Sequence, residues 1–300
     1  PRTMTSDTAQ THRRAVLYLI LTAILWSTSG LLVKVIDWQP MSILAGRSLL
    51  ATGVFALTLR DLRFKPSRVQ IVGALAFLAT QVLFITATKM TTAANAIFLQ
   101  YTAPVTVIPL SVLWLGERPK RADWFALVVI LIGLGFFFGD DLTLDGRVGN
   151  VLAIVSGVTM AVMTVCMRRA GMETENDHAP AQTILMSHAT GALIGMPSMV
   201  RETFTLQSLG IIAFLGLFQI GLAFLLYSRA VRHVEAVETT LIVTLEPILN
   251  PLWVFLIIGE MPGPMALLGG ALVIGAVTAR AWISARSPSP APDPEPIAPD

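Results

Sequence analysis

The sequence predicts an all-α integral membrane protein: ten transmembrane helices arranged as two inverted five-helix repeats. Three observations carry that prediction. First, 54% of the 300 residues are hydrophobic and only 13% are charged. That is about half the charged fraction of soluble domains, too little polar surface to cover a water-soluble globule of this size, and the mean hydropathy is +0.70. Second, apolar runs long enough to cross the hydrocarbon core, about 20 residues in a helix, recur along the whole chain. Third, the cations flanking those runs divide unevenly between alternate loops.

The runs fall at 15–36, 41–60, 67–88, 91–115, 121–139, 147–169, 180–200, 206–229, 235–258 and 263–284, with most of the charge in the short connections. If each run crosses once, sixteen of the 21 Lys and Arg residues lie on the side of the N-terminus. Four, Lys34, Lys89, Arg147 and Arg201, lie on the other, and Arg47 is left inside the second run. Cytoplasmic loops are enriched in Lys and Arg, so both termini are expected in the cytoplasm. The first run has no small-residue cleavage site behind a short apolar region and is expected to stay as a span. The lone cysteine, Cys166, excludes an intrachain disulfide framework and is expected as a small core residue. Residues 1–14 are expected as a cytoplasmic segment. Residues 285–300 alternate Pro with small or acidic residues, a composition expected to form a disordered cytoplasmic tail.

The second half repeats the first at an offset of 143 residues. Gly116-Glu117-Arg118-Pro119 corresponds to Gly259-Glu260-Met261-Pro262, Pro104 to Pro247, Phe84-x-x-Ala87 to Tyr227-x-x-Ala230, and Ala93 to Ala236. Pro40 and Pro180 open the second and seventh runs as counterparts. An odd number of helices per unit makes the second copy enter the membrane from the opposite face, an architecture common among secondary transporters. The units are expected at 15–139 and 147–284, joined by a loop over 140–146.

This pattern resembles the EamA family of the drug/metabolite transporter superfamily: aromatic-x-x-Ala, an Ala a few residues on, a Pro inside the next helix and Gly-Glu closing it. The spacing from Pro40 to Arg47 at the opening of helix 2 fits as well. Each EamA unit is five helices, and the resemblance covers both halves, residues 15–284. Within the family the chain is most similar to amino-acid exporters. The resemblance implies export of amino acids or similar metabolites, here with aromatic or other bulky uncharged side chains, from a bacterial cytoplasm across the inner membrane.

A carrier needs a polar, water-accessible cavity near mid-membrane, and polar side chains are too costly to face lipid. Trp26, Gln81, Tyr101, His188, Gln219, Glu246 and Asn250 lie about halfway along their runs and are the candidate cavity residues, with Phe77 and Met163 as apolar lining. Further aromatic candidates are Phe84, Phe98, Phe218, Phe224 and Tyr227. Core packing is the competing reading for Trp26. Pro104, Pro109, Pro247 and Pro251 each remove a helical N–H and disturb the carbonyl four residues earlier, so helices 4 and 9 are expected to kink. Those kinks would face protein or water, where a freed carbonyl finds a partner. Glu246 would bind a substrate amine or a proton, or else pair within the protein. Arg47 would hold a substrate carboxylate or pair locally. Glu117 and Glu260 are expected to tether the following helix across the Gly turn. Gly135-x-x-x-Gly139 and Gly191-x-x-x-Gly195 permit close helix approach inside the bundle.

Other functional classes find little support. The sequence contains no His-Glu-x-x-His, no Ser–His arrangement at a recognisable motif and no Walker Gly-x-x-x-x-Gly-Lys. An intramembrane enzyme, a cofactor, a metal and a nucleic-acid partner are therefore not expected. A passive channel is usually lined by rings from symmetric subunits, whereas this chain carries its own twofold. A drug or other metabolite carrier of the same superfamily stays open as the alternative. The expected partners are a small-molecule substrate and the lipid bilayer. The oligomeric state is left open, with a monomer compatible.

Overall fold

A computed structural model describes residues 6–59, 65–116, 121–136, 144–173, 178–230, 242–243 and 245–286. Among these residues every regular element is helical. In chain order they are α1 (Ser6–Ser27), α2 (Ser29–Val35), α3 (Pro40–Leu59), α4 (Arg68–Met90), α5 (Ala93–Gln100), α6 (Pro104–Leu115), α7 (Arg121–Phe136), α8 (Leu144–Glu173), α9 (Ala179–Met199), α10 (Leu206–Ala213), a π-helical segment (Phe214–Leu222), α11 (Ala223–Ala230), α12 (Leu245–Ile258) and α13 (Pro264–Arg286). Among the described residues six segments can cross a membrane by length and composition: Gln10–Val35, Pro40–Leu59, Arg68–Met90, Ala93–Leu115, Leu144–Ala170 and Leu206–Tyr227. Trp124–Phe136, Leu245–Ile258 and Pro264–Ala279 are shorter apolar helices. The chain is a multi-pass membrane protein.

Local sequence sets the helix ends. Ser67 accepts from Gln70 N–H while the Gln70 side chain accepts from Ser67 N–H, a capping box that starts α4. Thr205 starts α10 with a box of the same kind, and Thr92 caps α5 by accepting from Asn95 N–H. Pro40 opens α3, and Pro180 stands in the first turn of α9, where a missing N–H costs nothing. Gly116 and Gly259 close α6 and α12 at φ 68° and 73°. Both are left-handed positions that only glycine takes without strain, and they are the two glycines of the repeated Gly-Glu motif.

Two rods are broken where the sequence predicts one continuous helix. The first breaks between α1 and α2 in the run Ser27-Thr28-Ser29-Gly30. There the Ser27 and Thr28 hydroxyls donate to the carbonyls of Ile24 and Leu25, both at 2.7 Å, and such back-bonding bends helices. The fourth breaks between α5 and α6. Pro104 begins α6 instead of kinking a continuous helix, and the Gln100 carbonyl accepts from Ala103 N–H at 3.1 Å. Pro109 lies within α6 and Pro251 within α12, while Pro247 falls in the first turn of α12.

The broadest helix contacts join opposite halves of the chain: α4 with α8, α3 with α9, α7 with α13 and α1 with α11. Small residues permit them. A Cβ on Gly195 would lie 2.6 Å from the Met41 carbonyl, and one on Gly191 would touch Leu78 and Ser48, so that glycine pair is internal, as expected. Gly135 differs: its Cβ position is open, and Gly133, two residues earlier, packs on α13 at Gly269 instead. Gly139 lies outside the described residues. Cys166 is a buried core thiol. Outside, large apolar side chains such as Leu57, Leu113, Phe125 and Leu193 are exposed, the inverse of a soluble surface and the arrangement that lipid favours.

One end of the bundle gathers the loops predicted to lie opposite the termini. Lys34 Nζ donates to the Thr91 carbonyl at 2.7 Å, Lys89 Nζ to the Ile36 carbonyl, and Gln39 N–H to Glu202 Oε1 at 2.9 Å. Gly149, two residues past Arg147, packs on Thr91. An open cavity of about 590 Å³ at this end is lined by Asp37, Trp38, Arg201, Glu202 and Gln207 among others.

Candidate functional site

The polar residues singled out at mid-helix form two clusters joined by aromatic rings. The first lies between α3, α4, α9 and the π-helical segment. Arg47 Nη2 donates to Gln81 Oε1 at 2.5 Å, and Gln81 Nε2 faces His188 Nδ1 at 3.4 Å. Ser48 Oγ also reaches His188 Nδ1, at 3.2 Å. Arg47, Gln81, His188 and Gln219 are all buried. Four polar atoms here have no partner: Arg47 Nε, Ser187 Oγ, His188 Nε2 and Gln219 Oε1. Gln219 is delivered by the π-helical segment, which packs tightly on α3, since a Cβ on Gly216 would lie 2.8 Å from the Arg47 carbonyl. Single π turns within α-helices recur at functional sites.

The second cluster lies where the α5–α6 break meets α12. Tyr101 Oη donates to Glu246 Oε2 at 2.9 Å. Asn250, one turn along α12, is fully buried against the α1–α2 break: a Cβ on Gly30 would fall 2.0 Å from its Oδ1, and both its amide atoms lack partners. Trp253 Nε1 donates to Ser27 Oγ at 2.9 Å. Thus α12 touches both helix breaks.

Aromatic rings run between the clusters. Trp26 packs on Tyr227 and Phe224, with centroids 5.4 and 5.1 Å apart. Phe224 meets Phe77 at 6.1 Å and Phe55 at 6.4 Å. Phe77 turns its edge to His188 at 5.6 Å, and Phe55 stacks on the same imidazole at 6.2 Å. Met163 packs against the core that holds Phe55, Phe77 and Phe224. Trp26, Phe77, Gln81, Met163, His188, Phe224 and Tyr227 are therefore brought together, with Gln219 at their edge. Three predicted aromatics lie elsewhere. Phe84 and Phe98 pack among Ala126, Ile130 and Ala266, with Phe98 filling the space over Gly270. Phe218 is 45% exposed and stacks on Phe214 at the bundle exterior.

Phe55, Ser48 and Ser187 belong to the site, and the sequence reading missed them. Two of them adjoin flagged residues, Ser48 beside Arg47 and Ser187 beside His188, while Phe55 lies two turns beyond Arg47. Phe55 lies seven residues beyond Ser48, two turns along the same stripe of α3.

Glu260 departs from its expected role. It bonds not to the helix that follows it but to α5 in the other half: Oε1 accepts from Ala93 N–H at 2.7 Å, and Oε2 pairs with Lys34 Nζ at 2.8 Å. A carboxylate at a helix N-terminus complements the positive end of its dipole. Glu117 lies outside the described residues.

These features define a class: a helical membrane bundle with an apolar exterior and a polar, aromatic interior shared by both halves of the chain. The EamA-like transporter family profile matches residues 13–139 and again 147–279, and the chain belongs to that family. A protein of Archaeoglobus fulgidus named an uncharacterized transporter is 28% identical over 86% of this chain and 93% of its own length. The "Probable terminal-alkyne amino-acid exporter" of Streptantibioticus cattleyicolor is 26% identical over 88% of this chain and 92% of its own. The pseudopaline exporter CntI of Pseudomonas aeruginosa is 26% identical over 62% of this chain and 65% of its own. A crystal structure of another protein superposes with a TM-score of 0.65 at 21% identity, covering 91% of this chain and 98% of that one, a likeness of fold.

Proposed function

We propose that this chain is an exporter of amino acids or similar metabolites, working by alternating access in a bacterial inner membrane. The polypeptide crosses ten times with both termini cytoplasmic, and its second five helices are inverted relative to the first. Several features support that arrangement. The contacts between halves are self-reciprocal under it: helix 3 on helix 6 answers helix 8 on helix 1, while helices 2 with 7, 4 with 9 and 5 with 10 meet across the axis. Both Gly-Glu motifs close their helices with a left-handed glycine, and the cations predicted for one face cluster at one end of the bundle.

The observation that carries the transport reading is the buried polar and aromatic interior. Its unpartnered atoms, Arg47 Nε, His188 Nε2, Gln219 Oε1 and the Asn250 amide, are expensive to maintain in a bundle that only needs to pack. The rings of Trp26, Phe77, Phe224 and Tyr227 suit an apolar side chain, and Glu246 with Tyr101 suits an amine. The breaks at Thr28 and Tyr101, with Pro104, Pro109, Pro247 and Pro251, supply bend points for rocking. A cationic drug is the alternative cargo, because a carboxylate beside aromatic faces also suits an organic cation.

Counterflow in proteoliposomes tests this reading, with a panel of amino acids, nucleosides and cationic drugs. Saturable exchange of an amino acid, lost in Glu246→Gln protein that stays folded, is the expected result. Absence of exchange for every solute, or flux that rises linearly without saturating, would refute it.

A further inference from the structure

Among the described residues, the first cluster holds a buried cation without an anion. Arg47 is 3% exposed, and its hydrogen-bond partner is neutral: Gln81 takes one guanidinium N–H, and no carboxylate among the described residues forms an ion pair with it. The Lys34–Glu260 ion pair lies at the end of the bundle. Removing an unpaired guanidinium from water is costly, and a single amide oxygen offsets only part of that. The protein keeps the arrangement at the crossing of α3, α4, α9 and the π-helical segment.

The bonding pattern also sets which atoms remain available. Arg47 can only donate, so the Gln81 oxygen must face it and the Gln81 amide N–H must point at His188 Nδ1. That nitrogen accepts, and the neutral imidazole carries its proton on Nε2. The unspent groups on either side of Gln81 are therefore two N–H donors, Arg47 Nε–H and His188 Nε2–H. The Ser187 hydroxyl is a further buried group without a partner. A positive charge with fixed, unspent N–H donors is what recognises a planar anion. Phe55 and Phe77 wall the imidazole, and Phe224 and Trp26 continue the apolar wall away from it.

We propose that Arg47, oriented by Gln81 and assisted by His188, is a carboxylate-binding subsite, so that the solutes this chain moves are carboxylates whose apolar portion lies against Phe77 and Phe224. This rests on reading the chain as a solute carrier. It selects among the cargoes that reading allows, since organic cations lacking an acid group have no partner for Arg47.

The test has two arms on the full-length protein. In proteoliposomes, counterflow is measured for L-phenylalanine, L-leucine and L-glutamine, for the carboxamide of each, and for phenethylamine and ethidium. In detergent, thermal unfolding is followed with 3-phenylpropionate and, as control, 3-phenylpropanamide. The proposal expects exchange of acids but not of carboxamides or amines. It expects a rise in Tm with the carboxylate alone, and a half-saturating concentration raised at least about tenfold in Arg47→Gln, the loss of a charge-assisted hydrogen bond, with partial recovery in Arg47→Lys. Exchange of carboxamides or amines at rates equal to the acids, or an equal Tm rise with 3-phenylpropanamide, would overturn it and leave transport standing. If no solute exchanges, the transport reading falls; a carboxylate-specific, Arg47-dependent Tm rise then still supports the subsite, and its absence overturns that too. Should Arg47→Gln fail to fold, the acid-against-amide comparison in wild-type protein decides.

Discussion

Glu260 ties the two halves of the chain at one end of the bundle, and its removal has a calculable cost. Its two oxygens do different work. Oε1 takes the Ala93 N–H at the start of α5, and Oε2 pairs with Lys34, whose side chain is 17% exposed against 24% for Glu260. Loss of a helix-capping acceptor costs about 0.5–2 kcal/mol. An ion pair with this much solvent contact contributes about 0.2–1 kcal/mol. Glu260→Gln keeps an oxygen for Ala93 N–H and loses the charge, so it should cost no more than about 1 kcal/mol. Glu260→Ala loses both and should cost about 1–3 kcal/mol. In the Glu260→Gln background, Lys34→Met should cost less than it does alone, by the coupling energy of the pair. Thermal unfolding of the purified protein in detergent, read at a fixed lipid content, orders the variants. Equal losses for Glu260→Gln and Glu260→Ala would refute the capping role, and additive losses for Lys34→Met and Glu260→Gln would refute the pairing.

The helix crossings predict opposite signs for two glycine substitutions. Gly195→Ala places a methyl 2.6 Å from the Met41 backbone oxygen and should destabilise by about 1–3 kcal/mol in the same unfolding assay. Gly135→Ala meets nothing within 4 Å, so the same assay should show a gain of about 0.5–1 kcal/mol from better helix propensity. Tyr101→Phe removes the donor to Glu246 while keeping the ring; counterflow should fall by at least about tenfold, the worth of a hydrogen bond to a charged group, with an unchanged elution profile. Gly216→Leu drives a side chain into Leu50 and the Arg47 carbonyl. It should lower Tm and transport together, whereas Phe218→Leu on the exposed face should change neither.

Much of the fold was legible because lipid imposes a simple rule on sequence. Helix starts such as Pro40, Ser67 and Thr205 carry their own caps, and each was placed within a residue or two. The break at Thr28 was hidden because Ser and Thr are tolerated in an apolar helix, and only their hydroxyls' choice of partner, Ile24 and Leu25, opens the turn. The break before Pro104 was read as a kink because proline signals a disturbed carbonyl without saying whether the helix resumes. In the site, mid-helix position found Gln81 and His188, whose burial follows from the cost of polar groups in lipid, and the half-buried Glu246. It could not separate Phe77, which meets His188, from Phe98, which fills the gap over Gly270, because aromatic residues satisfy both surroundings equally. The Glu260–Ala93 bond joins residues 167 positions apart, and no local pattern encodes it.

The account depends on the second five helices being turned over relative to the first. Single cysteines introduced in a Cys166→Ala background test this with a membrane-impermeant maleimide. Lys65→Cys, Arg121→Cys, Arg147→Cys and Arg201→Cys all occupy exposed positions at helix ends. The account predicts that positions 147 and 201 are labelled in intact spheroplasts, and positions 65 and 121 only after lysis. Labelling of 121 and 147 from the same face, or of 65 and 201 from the same face, would contradict it.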